Sequence, residues 1–126
     1  AKSDLEVKKG AYLEYMRLLE DEAMITASNA AAGCLKLIQN HPEREPEITS
    51  RLLAMEGQIF LMKGEVSLEC RNIVCGHLLE LFDQYADSSK DKGSMVEFAM
   101  RCKGNSRRAV VRKAVSFLEK HGSDSI

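Results

Sequence analysis

The chain has 126 residues, 44% of them hydrophobic and 29% charged, which is too apolar for a disordered chain and ordinary for a globular one. Two prolines, eight glycines, no Trp and 6% aromatics are a poor supply for a sandwich or barrel of many short strands, whereas Ala, Leu, Glu, Lys, Arg and Met, all good helix formers, are abundant. A net charge of −1 excludes a global polyanion-binding signature. These figures predict an all-α fold, an antiparallel bundle of about five helices with a long first helix, forming one domain over residues 1–126.

Residues 4–40 read as that first helix. Leu5, Tyr12, Tyr15, Leu19, Ala23, Ala27, Ala30, Cys34 and Leu37 recur at three- and four-residue spacing. Ser3 or Asp4 caps the start, Glu6 sits in the first turn, and Asn40-His41-Pro42 ends it. A helix of about 36 residues would be about 54 Å long, more than a bundle of this size spans, so a break is expected near Gly10 or Gly33. The small residues of 27–33 suit close approach by a neighbouring helix. A charged turn over 42–47 leads to Pro46 in the first turn of a second helix, 46–63, with Ile48, Leu52, Met55, Ile59 and Met62 on its inner face. Gly64 either ends this helix or sits within a continuing one.

A third helix over 65–86 carries Val66, Cys70, Ile73, Val74, Leu78, Leu81, Phe82 and Tyr85, and residues 87–93 form a polar loop. A short helix over 94–103 starts with Ser94 and Glu97 in capping-box spacing. Gly104 breaks the chain, Asn105 or Ser106 caps the last helix, 106–121, and Val110, Val111, Ala114, Phe117 and Leu118 form its inner face. Residues 122–125 read as a frayed tail. No segment alternates with period two, so no strand is expected.

Cys34, Cys70, Cys75 and Cys102 include no C-x-x-C pair and read as reduced, buried thiols of a cytosolic or nuclear protein. No apolar run reaches a membrane span, and residues 1–4 lack a signal-peptide core. The missing initiator Met points to a processed or excised domain. Cys70, Cys75 and His77, with Cys102 as a fourth, have metal-ligand chemistry but not the paired two-to-four spacing of a structural zinc site, so no metal and no cofactor are expected. His41 and His121 read as local structure, no nucleophile–base arrangement stands out, and the expectation is a non-enzyme.

Charge is segregated. Residues 14–22 hold Glu14, Glu20, Asp21 and Glu22 against Arg17, whereas Arg101, Lys103, Arg107, Arg108, Arg112 and Lys113 cluster near the C-terminus. At 100° per residue Arg101, Arg108 and Arg112 share a face and Lys113 lies near it. Arg101, Arg107, Arg108, Arg112 and Lys113 are therefore the candidate partner-binding residues. The stripe suits an acidic protein surface or phosphates, or is a solvated face balanced by the acids of the first helix. Its neighbours are Ala and Val rather than stacking aromatics, which disfavours nucleic acid.

Arg107-Arg108-Ala-Val-Val-Arg112-Lys113-Ala-Val-Ser-Phe-Leu-Glu-Lys120 resembles the last helix of the BAG domain family, helical domains that bind the Hsp70 ATPase region, and Leu78–Asp83 is similar to the end of that family's middle helix. The resemblance implies a bundle of long helices, with Arg107 as the chaperone-contacting arginine and Asp83 as its acidic partner. The chain departs from the pattern at Val115, where the family carries glutamine, near Ile73, where it carries glutamate, and in about ten extra residues between Asp83 and Arg107. The expectation from the sequence as a whole is a non-catalytic, intracellular adaptor or regulatory domain that binds a protein, with self-association into a homodimer. A BAG-like cochaperone module and a nucleic-acid-binding module stand as alternatives. Exposed Met and Phe side chains are expected to supply the apolar part of the surface.

Overall fold

In a computed structural model, residues 4–122 are described, with side chains from residue 9 onward. They form six α-helices: α1 (Asp4–Arg17), α2 (Met24–Asn40), α3 (Glu45–Ala54), α4 (Leu68–Asp83), α5 (Lys92–Cys102) and α6 (Arg108–His121). A two-stranded antiparallel hairpin, β1 (Leu61–Met62) and β2 (Glu65–Val66), lies between α3 and α4. The all-α bundle expected from composition is the fold. The proposed caps Ser3 and Asp4, Glu6 in the first turn, and the tail beyond residue 122 lie outside the described residues or side chains.

The long first helix is two helices. The break falls at Asp21–Ala23, not at Gly10 or Gly33, after a 3₁₀ turn over Leu18–Glu20. Asp21 is extended at ψ 139°, and its Oδ1 accepts a hydrogen bond from the Ala23 amide at 2.8 Å, a local competitor to the helical ladder. Gly33 has another task. A Cβ there would lie 2.0 Å from the Tyr15 hydroxyl, which donates to the Ala30 carbonyl at 2.8 Å. The small stretch of α2 thus admits the Tyr15 side chain of α1, and Ala27, Ala30 and Ala31 are buried.

The second helix is shorter than its apolar stripe. It ends at Ala54, passes through a 3₁₀ turn and extends from Gln58. Residues 58–63, expected helical, instead enter the hairpin. Met62 pairs with Glu65 across a two-residue turn in which Lys63 and Gly64 have φ 52° and 81°, the left-handed geometry that a tight hairpin turn demands. Gly64 is therefore a turn residue rather than a helix cap. Phe60, wholly buried, anchors this excursion to the core. The strands are only two residues long, too short for the alternation by which a strand is read from sequence.

Helix α4 starts at Ser67, whose Oγ accepts from the Cys70 amide at 3.1 Å. Helix α5 starts two residues before the expected Ser94: Asp91 is its N-cap residue, no side chain makes the cap bond, and the Ser94–Glu97 capping box does not form. Helix α6 starts at Arg108, with the Asn105 Oδ1 accepting from the Arg107 amide at 2.8 Å just before it.

Cross-helix pairs give the directions. Phe82 meets Phe98 edge-on at 5.7 Å, Asn72 meets Asn105, and Cys75 meets Cys102, so α4 and α5 are antiparallel. Glu69 pairs with Arg107, Glu80 with Lys113 and Asp83 with Lys120, so α4 and α6 run parallel. Consecutive helices alternate, and α4 is buried along Cys70, Val74, Cys75, Gly76, Leu78, Leu79, Leu81 and Phe82, a wider arc than the single stripe predicted. One apolar core joins α1 through α6.

A buried polar cluster ties α3 to the α4–α5 connection. The Glu45 carboxylate, 6% exposed, accepts from Thr49 Oγ1 at 2.6 Å, Ser89 Oγ at 3.0 Å and the Lys90 amide at 3.1 Å. Because the Thr49 hydroxyl donates to Glu45, the Tyr85 hydroxyl donates to Thr49, at 2.8 Å.

Two stability outcomes follow from this packing. Glu45→Ala strands three donors and should cost about 2–3 kcal/mol in urea denaturation. Tyr15→Phe should cost about 1 kcal/mol in the native background and close to nothing in a Gly33→Ala background, where the added Cβ already displaces the hydroxyl. Equal costs in both backgrounds would mean that the Tyr15–Ala30 bond does not depend on Gly33.

Candidate functional site

Helix α6 is amphipathic. Val110, Ala114 and Phe117 enter the core, and its outer face carries the basic residues. The expected common face of Arg101, Arg108 and Arg112 assumes a continuous helix, but the chain leaves helical geometry between Cys102 and Arg108. Arg101 belongs to α5, where its Nε and Nη2 hold the Glu56 carboxylate at 2.9 and 2.8 Å. This forked pair keeps the guanidinium pKa above its ordinary value.

Of the remaining candidates, Arg107 pairs with Glu69 and Lys113 with Glu80. Arg108 and Arg112, one helical turn apart and both exposed, have no ion pair among the described residues. The balancing acids come from α4 and Glu56, not from the first helix as expected. Glu20 is engaged by Arg51 at 3.4 Å.

Arg112 rims a cleft of about 250 Å³ between α4 and α6. Leu79 and Phe117 line it apolarly, while Glu80 and Asp83 supply acids already paired to Lys113 and Lys120. The unpaired charge at this rim is thus positive. Below it, His121, 6% exposed, places Nε2 2.8 Å from Asp83 Oδ1 and Nδ1 3.3 Å from Asp87 Oδ1, with its ring 4.6 Å from that of Phe117. From sequence alone this histidine reads as local structure. The two carboxylates lie more than thirty positions away in the chain, so no local signal could reveal them.

A second exposed feature is apolar. Ile59, Met62, Val66 and Leu68 are 63%, 54%, 63% and 63% exposed, all on or beside the hairpin. Met100 is also exposed, but Met16, Met55 and Met95 are buried, and so are Phe60, Phe82, Phe98 and Phe117. The expected contribution of exposed Phe to a surface therefore fails: all four rings fill the core.

The Cys70, Cys75 and His77 grouping does not converge. Cys70 and Cys75 are buried, whereas His77 is exposed and meets Ser28 at 3.2 Å. Among the described residues no group of three or more His, Cys, Asp or Glu gathers as a metal shell, and no helix is long and apolar enough to cross a membrane. Arg107 and Asp83, the residues singled out by the BAG resemblance, are both engaged within the chain, by Glu69 and by Lys120 with His121. No family model, curated protein or solved structure matches the chain.

Asp83 gives this site a pH signature. Burial raises its pKa, but the hydrogen bonds from His121 and Lys120 outweigh burial and leave it below its ordinary 3.8. A lowered folded pKa means stability that is complete above the unfolded value and is lost as pH falls through the folded one. Asp83→Asn should therefore destabilise the protein near neutral pH and lose less stability than wild type on going from pH 5 to about pH 2.5, read from urea midpoints.

Proposed function

We propose that the chain is a non-catalytic helical interaction domain of an intracellular adaptor or regulatory protein, and that it docks an acidic segment of a protein partner on the outer face of α6. The observation that carries this reading is the pairing pattern of the basic residues. Arg101, Arg107 and Lys113 are neutralised by Glu56, Glu69 and Glu80, whereas Arg108 and Arg112 are left facing solvent beside an apolar-floored cleft. Two guanidiniums one turn apart suit carboxylates, which each fork can bind in bidentate fashion. Ala109, Val111 and Val115 around them offer no ring on which a base could stack, which supports a protein rather than a nucleic acid. The apolar residues exposed at 59–68 support self-association as a homodimer, since large exposed apolar groups on one segment mark contact surfaces.

Affinity capture with wild type and with the Arg108→Glu, Arg112→Glu double variant tests the docking face. A partner bound by wild type should bind about tenfold more weakly to the variant and should survive nuclease treatment. Unchanged binding overturns the role of α6. Nuclease-sensitive binding assigns the face to nucleic acid. Capture of an Hsp70 ATPase region that is abolished by Arg107→Ala supports the BAG-like alternative instead. Sedimentation of wild type beside Met62→Asp, Val66→Asp reports on the dimer: a wild-type dimer dissociated by these changes is expected, and a monomeric wild type removes the homodimer from the reading.

A further inference from the structure

Cys75 of α4 and Cys102 at the end of α5 are 27 positions apart in the chain, yet both line one cleft where the two helices cross. They lie at the floor of a cleft of about 210 Å³, whose walls are Arg71, Arg101, Asn72, Asn105 and Glu56. The thiols are nearly buried, at 5% and 4% exposure, but the cleft above them is polar and opens to solvent. Cys34 and Cys70, also free, sit apart from this pair, and Cys34 is wholly enclosed.

We propose that Cys75 and Cys102 form a peroxide-reactive dithiol site, with Cys75 as the attacking sulfur and Cys102 as the resolving one. This site is separate from the α6 docking face and does not depend on it. Reactivity of a cysteine follows thiolate character and access, and a reactive site keeps a second thiol within reach.

The surroundings assign the two roles. The neighbouring Cys102 thiol lowers the Cys75 pKa against the opposing effects of burial and Glu56, and the Arg71 guanidinium adds to the lowering. The proximity of Cys75, with burial, raises the Cys102 pKa and keeps the proton there. Arg101 is occupied by Glu56, but Arg71 makes no ion pair among the described residues and is the cation left to face the thiolate. Burial dominates at Cys34, pushing its pKa up to about 12 against the weaker lowering by Arg51, so that thiol stays protonated.

The chemistry balances with a hydroperoxide as oxidant. The Cys75 thiolate attacks one peroxide oxygen: an S–O bond forms, the O–O bond breaks, and the alkoxide leaves and takes a proton from water. Cys75 is then a sulfenic acid, oxidised by two electrons. The Cys102 sulfur attacks it: an S–S bond forms, the S–O bond breaks, and the departing hydroxide leaves as water with the Cys102 proton. Across the cleft that both residues line, the sulfurs close to a bond of about 2.05 Å. A dithiol reductant reopens the bond by exchange.

The test is hydrogen peroxide added to the reduced protein, followed by non-reducing tryptic mass spectrometry. The expected product is one intramolecular cross-link joining the peptides 72–90 and 102–103, reversed by a dithiol and absent from both Cys75→Ser and Cys102→Ser. Cys102→Ser should stop at a sulfenic acid on Cys75 that a cyclic 1,3-dione traps, and Cys75→Ser should give no adduct at Cys102. Arg71→Gln should slow consumption of Cys75 while leaving the circular dichroism spectrum unchanged. The proposal is overturned if Cys34 or Cys70 oxidises first, if the trapped sulfenic acid lies on Cys102, or if the folded protein keeps all four thiols under peroxide.

Discussion

A row of acids on α4 sets the register of the C-terminal half. Glu69, Glu80 and Asp83 receive Arg107, Lys113 and Lys120 in the same order along both helices, which aligns α6 parallel to α4. Each pair is exposed enough to contribute little by itself, since water screens it and two long side chains lose freedom. The burial of Val110, Ala114 and Phe117 against α4 provides the driving force, and the charges select one alignment of that apolar face. A parallel neighbour needs an antiparallel strut to return the chain, and α5 fills that place, with Phe98 against Phe82.

The same acids decide what the surface has left to offer. Three of the five candidate cations are consumed inside the molecule, and two remain. The acidic stretch at 14–22, which looks like the counterweight to the basic C-terminus in a linear reading, takes other partners. Asp21 caps a turn and Glu20 meets Arg51. The charge separation seen along the chain is therefore largely cancelled by partners on other helices, and the residual positive charge is narrower than the sequence suggests.

The crossing of α4 and α5 puts two thiols together for a geometric reason. Antiparallel helices bring the middle of one beside the end of the other, and Phe82 with Phe98 at one end and Asn72 with Asn105 at the other set the alignment in which Cys75 faces Cys102. Arg71 and Arg101 flank the point of contact because they precede Cys75 and Cys102 by four residues and one residue, from opposite helices. A sulfur pair in such a polar cleft has an electrostatic environment unlike that of Cys34, which is packed among apolar side chains.

By itself, the sequence determined the helical class, the approximate extents of α4 and α6, the break at Gly104 and many of the apolar positions that fill the core, though not Ile59, Met62 and Val66, which are exposed. These follow from propensity and from the 3.6-residue period, both of which act over a few residues. It also showed that the small residues of α2 would meet a neighbour. Only the tertiary structure decided where the first helix breaks, because Asp21 and Ala23 form a turn that periodicity passes over. It alone decided that Ile59 and Met62 leave the helix for a hairpin, since two-residue strands have no period to detect. It alone assigned partners to Arg101, Arg107, Lys113, His121 and Cys75, because each lies next to a residue far away in the chain. Spacing along a helix tells which residues share a face, but pairing depends on what the fold brings against that face.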